Sequence, residues 1–150
     1  MRIEVEFQNA TCDAVIHEYM NPPADDGLIQ DQKCLEKRAD GSEVKYWRMK
    51  IPMMSDRDVV SQQWVVEKEG GKFLMLKSVE HKDAPLVKGV VRMQFNAVAL
   101  LHQVGDNVKQ LEFEHYDMKG YMPASLLNMV VAGESIEFLT KLKKRVDAKK

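Results

Sequence analysis

Apolar and polar side chains alternate through most of the first 117 residues of this chain. Residues 3–8 place isoleucine, valine and phenylalanine between glutamates and a glutamine, and a period of two is typical of a strand with one face in water. The alternation recurs between turn signals such as Asp40-Gly41 and Gly70-Gly71, which favour hairpins. The pattern therefore predicts an antiparallel sheet, with strands over Ile3–Gln8, Leu28–Arg38, Val44–Ile51, Val59–Glu67, Phe73–Val79, Gly89–Val104 and Val108–Tyr116.

A short segment near the start of the chain has a helical period instead. Thr11 can cap a helix whose apolar stripe lies between residues 15 and 20, because its hydroxyl can accept a hydrogen bond from the first turn. Asn21-Pro22-Pro23 ends this helix, and Ala24-Asp25-Asp26-Gly27 forms a loop to the next strand.

The longest helical segment runs from Pro123 to about Val146. Proline suits the first turn of a helix, and the apolar first half predicts a helix that is covered on more than one side. No other segment is long enough to cover the sheet, so the chain predicts an α+β fold in which a curved antiparallel sheet wraps around this helix. Gly133 costs about 1 kcal/mol relative to alanine in a helix, which indicates either close packing or a point of bending or ligand access.

The charges suggest which face of the sheet points inward. In the last strand, Leu111, Phe113 and His115 share one parity, and Glu112 and Glu114 share the other. Apolar residues are usually buried and charged residues exposed, so we assign the first set to the inner face. In the preceding strand the same reasoning assigns Val91, Met93 and Phe95 to the inner face.

Composition narrows the class of protein. With 150 residues, one domain over residues 1–150 is expected, and a net charge of −1 gives no field that would attract nucleic acid. Cys12 and Cys34 lack C-x-x-C spacing, which indicates reduced thiols in a cytoplasmic protein. We expect neither a signal peptide nor a membrane-spanning helix. Ten methionines favour an adaptable apolar site.

The sequence offers little support for catalysis. Its four histidines lack metal-ligand spacing, and no nucleophile elbow, phosphate loop or dinucleotide motif occurs. We interpret His115 as a core or pocket histidine and Asp56-Arg57-Asp58 as ion pairs that fix a loop. No catalytic residue, metal or cofactor is expected.

Three segments together resemble one known family. They are residues 52–60, PMMSDRDVV; the stretch from Ser78-Val79 through Pro85 to Lys88–Arg92; and Asp117–Gly120 with Pro123 and Asn128. They are similar to motifs of the steroidogenic-acute-regulatory-related lipid transfer (START) family, and the resemblance covers roughly Ile3 to Val146. It implies a helix-grip fold around a lipid tunnel, with the C-terminal helix and the 52–58 loop as gates.

The chain departs from that family in two respects. It begins about where the family's third strand would be, without the first helix and two strands. The first strand would then be an exposed edge, so either the chain is shortened or another molecule completes the sheet, for example a second copy in a homodimer. Where several members place a buried arginine facing the lipid, this chain has Gln63, which favours a hydroxyl or carbonyl partner.

The resemblance and the strand faces together predict the site. Gln63, followed by Ser61, is the expected polar contact with the ligand. The other expected ligand-binding residues form walls and roof: Trp47, Met49, Val65, Val91, Met93, Phe95, Phe113, His115, Leu127, Val130, Val131 and Phe138. Gating and membrane contact are assigned to Met53, Met54, Arg57, Asp58 and Gly133.

The favoured function is non-enzymatic binding of a lipid or other hydrophobic molecule, carried or sensed in an internal tunnel. Sterol and phospholipid both remain open. A transient membrane contact is expected, because basic residues over 141–150 can dock on an anionic leaflet as well as complement the helix dipole. Two alternatives remain: a cyclase-like or aromatase-like enzyme acting on a hydrophobic substrate, and a ligand-free interaction domain.

Overall fold

A computed structural model of the protein describes residues 1–23 and 29–150. The loop predicted over Ala24–Gly27 and the first residue of the next predicted strand, Leu28, lie outside these ranges. The described residues form two helices, α1 (Cys12–Met20) and α2 (Ala124–Ala148), and eight strands: β1 (Arg2–Phe7), β2 (Ile29–Lys37), β3 (Glu43–Met49), β4 (Arg57–Lys68), β5 (Gly71–Ser78), β6 (Val91–Arg92), β7 (Gln94–Val104) and β8 (Asn107–Asp117).

The strands form one curved sheet in the order β1-β8-β7-β5-β4-β3-β2. Neighbours along this path are antiparallel, and β1 pairs with β8 so that Phe7 lies opposite Val108 and Ile3 opposite Glu112. The predicted α+β helix-grip fold is therefore confirmed, with α2 against the concave face. Neither helix in the described part of the chain has the length and apolar character of a membrane-spanning segment.

One predicted strand, Gly89–Val104, is interrupted in the structure. The amides of Val91 and Met93 donate to the carbonyls of Asp56 and Asp58, at 2.9 and 3.0 Å, and so direct β6 to the start of β4. This pairing is parallel. The long antiparallel pairing with β8 begins only at Gln94.

Thr11 caps α1 as predicted. Its backbone is extended, and its Oγ1 accepts a hydrogen bond of 3.2 Å from the amide of Ala14. Val15, Ile16 and Tyr19 are buried on the face that α1 turns inward. This cap and stripe bring Tyr19 to the concave side of the sheet.

Helix α2 buries one face, and not several as its composition predicted. Its buried positions recur three to five residues apart: Val130, Ser135, Leu139, Leu142 and Val146. Met129 and Ile136, by contrast, are 65% and 62% exposed. The prediction failed because the apolar residues at the start of α2 exceed what a single buried face can hold. A stripe of apolar side chains therefore faces solvent.

Candidate functional site

A cavity of about 360 Å³ lies between the concave face of the sheet, the end of α1 and the middle of α2. This volume is within the range of small-molecule sites in proteins. Its wall is largely apolar and aromatic, contributed by β2, β3, β5, β7, β8, the residue before β7 and both helices: Tyr19, Met20, Ile29, Trp47, Met49, Leu76, Met93, Phe95, Tyr116 and Phe138.

Aromatic rings fix the shape of this wall. Trp47 and Phe95 meet edge to face with centroids 6.0 Å apart, and Phe95 contacts Tyr116 at 4.7 Å. Across the cavity, Tyr19 of α1 and Phe138 of α2 form a second edge-to-face pair at 5.0 Å. Such pairs hold their rings in defined geometries, so the wall is preorganised before any ligand enters.

The rim of the cavity is polar. Among its lining residues, those exposed to solvent are on β2 and just after α1: Asn21, Lys33, Cys34 and Lys37. Lys45 and Glu43 of β3 also contribute, and their side chains form an ion pair of 3.3 Å. In the described part of the chain, the cavity therefore meets solvent beside β2.

Two buried carboxyl groups form a polar cluster beside the cavity, and one of them, Glu114, lines it. The Tyr19 hydroxyl donates to Oε1 of Glu112 at 2.6 Å, and the amide of Gln110 donates to its Oε2 at 2.8 Å. The Ser135 hydroxyl donates to Glu114 at 2.6 Å, and Tyr116 lies 3.2 Å from the Ser135 oxygen. We call these residues the carboxyl cluster: Tyr19, Gln110, Glu112, Glu114, Tyr116 and Ser135.

Burial controls the ionisation of this cluster. Desolvation of Glu112, followed by the charge of Glu114 and a hydrogen bond between the two carboxyl groups, raises the pKa of Glu112 to about 8. Desolvation and the charge of Glu112 likewise raise the pKa of Tyr19 well above its usual value. Near neutral pH, therefore, Glu112 keeps its proton.

Gln63 lies on the wall where the sequence places a polar contact. Its side chain is 6% exposed, and its Oε1 has no hydrogen-bond partner among the described residues. A buried amide oxygen without a donor is costly, and a ligand hydroxyl or amine would supply one.

Several predicted site residues do come together at the cavity: Gln63, Trp47, Met49, Met93, Phe95 and Phe138. Others are in the core without lining it. Ser61 is fully buried, Val130 is buried, and Leu127 and Val131 are half-buried against the same core. Two more lie off the wall: Val91 packs near Gly120, and Val65 is 38% exposed.

The inner face assigned to β8 is wrong. Phe113 is 44% exposed, and His115 also lies on the convex, exposed side. Glu112 and Glu114 are buried at 1% and 8% exposure. The usual rule of charged residues outside fails here because Tyr19, Gln110 and Ser135 supply hydrogen bonds to the carboxylates.

A signal for the correct face was present in the sequence. Phe7 and Val108 face each other across the β1–β8 pair, and both are fully buried. Counting by twos from Val108 leads to Gln110, Glu112 and Glu114. Aligning β1 and β8 by these two apolar residues would therefore have placed Gln110, Glu112 and Glu114 on the buried face.

None of the residues predicted to gate the cavity lines it, as the described residues outline it. Arg57 is 2% exposed and donates to the carbonyls of Ser55, Met118 and Lys119 at 2.8, 3.1 and 2.9 Å. It thereby joins the loop before β4 to the loop before α2. Desolvation lowers the pKa of Arg57.

The neighbouring acidic residues form ion pairs, as interpreted from the sequence, although their partners are other arginines. Asp58 is buried and pairs with Arg92 at 2.6 Å, and Tyr46 donates to it at 3.2 Å. Asp56 pairs with Arg48 at 2.7 Å. These contacts fix the start of β4.

The remaining gating candidates differ in exposure. Met53 is fully exposed in a left-handed backbone conformation, with φ of 64°, whereas Met54 is half-buried against the core. A Cβ on Gly133 would meet nothing within 4 Å. Close packing is therefore not the reason for this glycine.

Comparisons with known proteins agree with this architecture. Residues 9–150 match the model of the START domain family. No curated protein matches the chain in sequence.

Solved structures superpose on most of the chain at low sequence identity. Human STARD10 covers 97% of the chain at 16% identity with a TM-score of 0.79, and the chain spans 62% of its length. Human StAR-related lipid transfer protein 5 covers 98% of the chain at 20% identity with a TM-score of 0.79, and the chain spans 74% of its length. A STAR-related lipid transfer protein from Xanthomonas axonopodis covers 97% of the chain at 21% identity with a TM-score of 0.80, and the chain spans 84% of its length.

Proposed function

The chain belongs to the START domain family, and on this basis we propose that it binds a lipid or other hydrophobic small molecule in the cavity beneath α2. It carries or senses this ligand without catalysing a reaction. Among the related structures, two are described as lipid transfer proteins. The observation that carries the proposal is the preformed cavity of about 360 Å³, with its apolar and aromatic wall.

Desolvation of the ligand supplies the binding energy. Each buried CH₂ contributes about 0.8 kcal/mol, so ten of them contribute about 8 kcal/mol before the cost of association. No reactive group is needed for this. The enzyme alternative depended on His115, whose side chain lies on the convex face and does not line the cavity.

Gln63 is the proposed hydroxyl contact. Replacing it with leucine should weaken binding of a long-chain alcohol about fivefold, because one hydrogen bond contributes about 1 kcal/mol, and leave the matching alkane unaffected. Titration of both ligands measures this. Gln62→Leu is the matched control, since Gln62 belongs to the opposite parity of β4 and does not line the cavity. Equal losses for alcohol and alkane would remove Gln63 from the site.

We place membrane contact at the two loops that Arg57 joins. Both present exposed apolar residues, Met53 on one and Tyr121, 81% exposed, on the other. Such side chains can enter the interfacial region of a bilayer. The bonds from Arg57 to Ser55 and Lys119 keep these loops adjacent, so a membrane that disturbs one also disturbs the start of α2.

Met53→Asp should slow transfer of a fluorescent lipid between vesicles severalfold, because a carboxylate disfavours insertion, while affinity for the lipid in solution stays unchanged. Leu86→Asp is the control, because Leu86 is 76% exposed in a different loop. If both variants transfer at the parental rate, the contact is elsewhere.

A further inference from the structure

The proposed cavity has more buried hydrogen-bond acceptors than its donors satisfy. Besides the unpartnered Oε1 of Gln63 on the wall, Oε1 of Gln110 is buried in the carboxyl cluster without a partner among the described residues. Glu112 and Glu114 are carboxyl groups of the same cluster, and Glu114 lines the cavity. A ligand that brings donors into the cavity would meet Gln63 and Glu114, which line it, whereas Gln110 and Glu112 do not.

The cluster also lacks a counter-ion. In the described part of the chain, neither Glu112 nor Glu114 forms an ion pair with a lysine, arginine or histidine. The donors around them are the neutral groups of Tyr19, Gln110 and Ser135. The N-terminal ammonium of Met1 donates to the backbone carbonyl of Glu114 at 2.6 Å, so in the described part of the chain no cationic group bonds to either carboxyl side chain.

Access to the cluster is through the cavity. Glu114, Tyr116 and Ser135 line it next to Phe138, whereas the wall apart from Gln63 and the polar rim is largely apolar and aromatic. A chain inserted from the β2 side would place its leading group against Glu114. The geometry thus combines an apolar channel with an anionic end.

We propose that the cavity selects an amphiphile that bears a protonated amine, with the ammonium group held by Glu114. An ammonium carries three donors and one positive charge, and so supplies the donors that the cavity lacks and a charge complementary to carboxyl oxygens. This inference rests on the proposed function, because it names the chemistry of the ligand for the same cavity.

Three ligands of equal chain length test it: dodecylamine, dodecanol and dodecanoic acid, each titrated at pH 7 below the concentration at which it aggregates. The amine should bind at least about tenfold more tightly than the alcohol, because charged hydrogen bonds are the stronger ones, and the acid should bind least. Glu114→Gln should remove most of this preference for the amine over the alcohol.

Glu43→Gln is the matched control. Glu43 also lines the cavity, but at the rim and paired with Lys45, so its loss should leave the preference for amine intact. An amine that binds no better than the alcohol, or a Glu114→Gln variant that weakens both alike, overturns the inference alone. If the acid binds most tightly of the three, the inference is also overturned, and the selection of the ligand headgroup would be assigned to the rim residues Lys33 and Lys37. Binding of none of the three would overturn the proposed function as well.

Discussion

Replacing Glu112 with glutamine is expected to stabilise the folded protein at pH 8, and to change its stability little at pH 4.5. The carboxyl group is 1% exposed, beside Glu114. Three groups face it: Tyr19 from α1, and Gln110 and Glu114 from β8. Ser135 of α2 donates a hydrogen bond to Glu114, and the Tyr116 hydroxyl lies beside Ser135. Glutamine keeps an oxygen that accepts the hydrogen bond from Tyr19, and its side chain does not ionise.

The sign follows from the raised pKa. Below pH 4.5, Glu112 is protonated in both the folded and the unfolded chain. As the pH rises to about 8, the unfolded chain loses this proton while the folded protein keeps it, so the free energy of unfolding falls. A shift from 4.5 to about 8 corresponds to on the order of 5 kcal/mol, and Glu112→Gln removes this loss.

Urea denaturation of parent and variant at several pH values measures the difference. Glu69→Gln, at an exposed residue in the β4–β5 turn, is the control and should change stability by less than about 0.5 kcal/mol at every pH. If the difference between parent and Glu112→Gln does not grow from pH 4.5 to pH 8, the buried carboxyl does not retain its proton as described.

The second large effect is expected at Arg57. Methionine has a similar length but no donor, so Arg57→Met leaves the carbonyls of Ser55, Met118 and Lys119 without the guanidinium. The buried carbonyl of Met118, left unpaired, costs about 1–3 kcal/mol; the carbonyls of Ser55 and Lys119 are only partly buried and add less, so a total loss of about 2–4 kcal/mol is expected. Amide hydrogen exchange should rise in the loop before α2, where Gly120 and Lys119 have positive φ.

Arg48→Met provides the comparison. Arg48 pairs with Asp56 and is 37% exposed, and exposed ion pairs contribute about 0–1 kcal/mol. A loss for Arg57→Met no larger than for Arg48→Met would show that the two loops hold together without the buried guanidinium.

Local patterns predicted the fold because each one maps onto a physical constraint. Alternation placed the strands, Thr11 placed the start of α1, and the long apolar segment after Pro123 placed α2. The break at Met93 escaped prediction because it depends on backbone hydrogen bonds to Asp56 and Asp58, which are distant in sequence and leave no trace in side-chain alternation.

The site was predicted less completely for a related reason. Gln63, Trp47 and Phe95 belong to strands whose apolar parity is clear, and they line the cavity. Glu112 and Glu114 are buried by partners from α1 and α2, so their burial follows from tertiary contacts and contradicts their own polarity. Residue-by-residue polarity therefore identified the apolar wall and missed its acidic end.

The central claim, that a hydrophobic ligand occupies the cavity beneath α2, is tested most directly by the two tryptophans of the chain. Trp47 lines the cavity, and Trp64 does not. In Trp64→Phe, a fatty alcohol brominated in its chain should quench the emission of Trp47 saturably, because bromine quenches tryptophan only near contact. In Trp47→Phe, which keeps an aromatic side chain in the wall, the same alcohol should not quench the emission of Trp64. Equal quenching of both tryptophans, or of neither, would contradict the account.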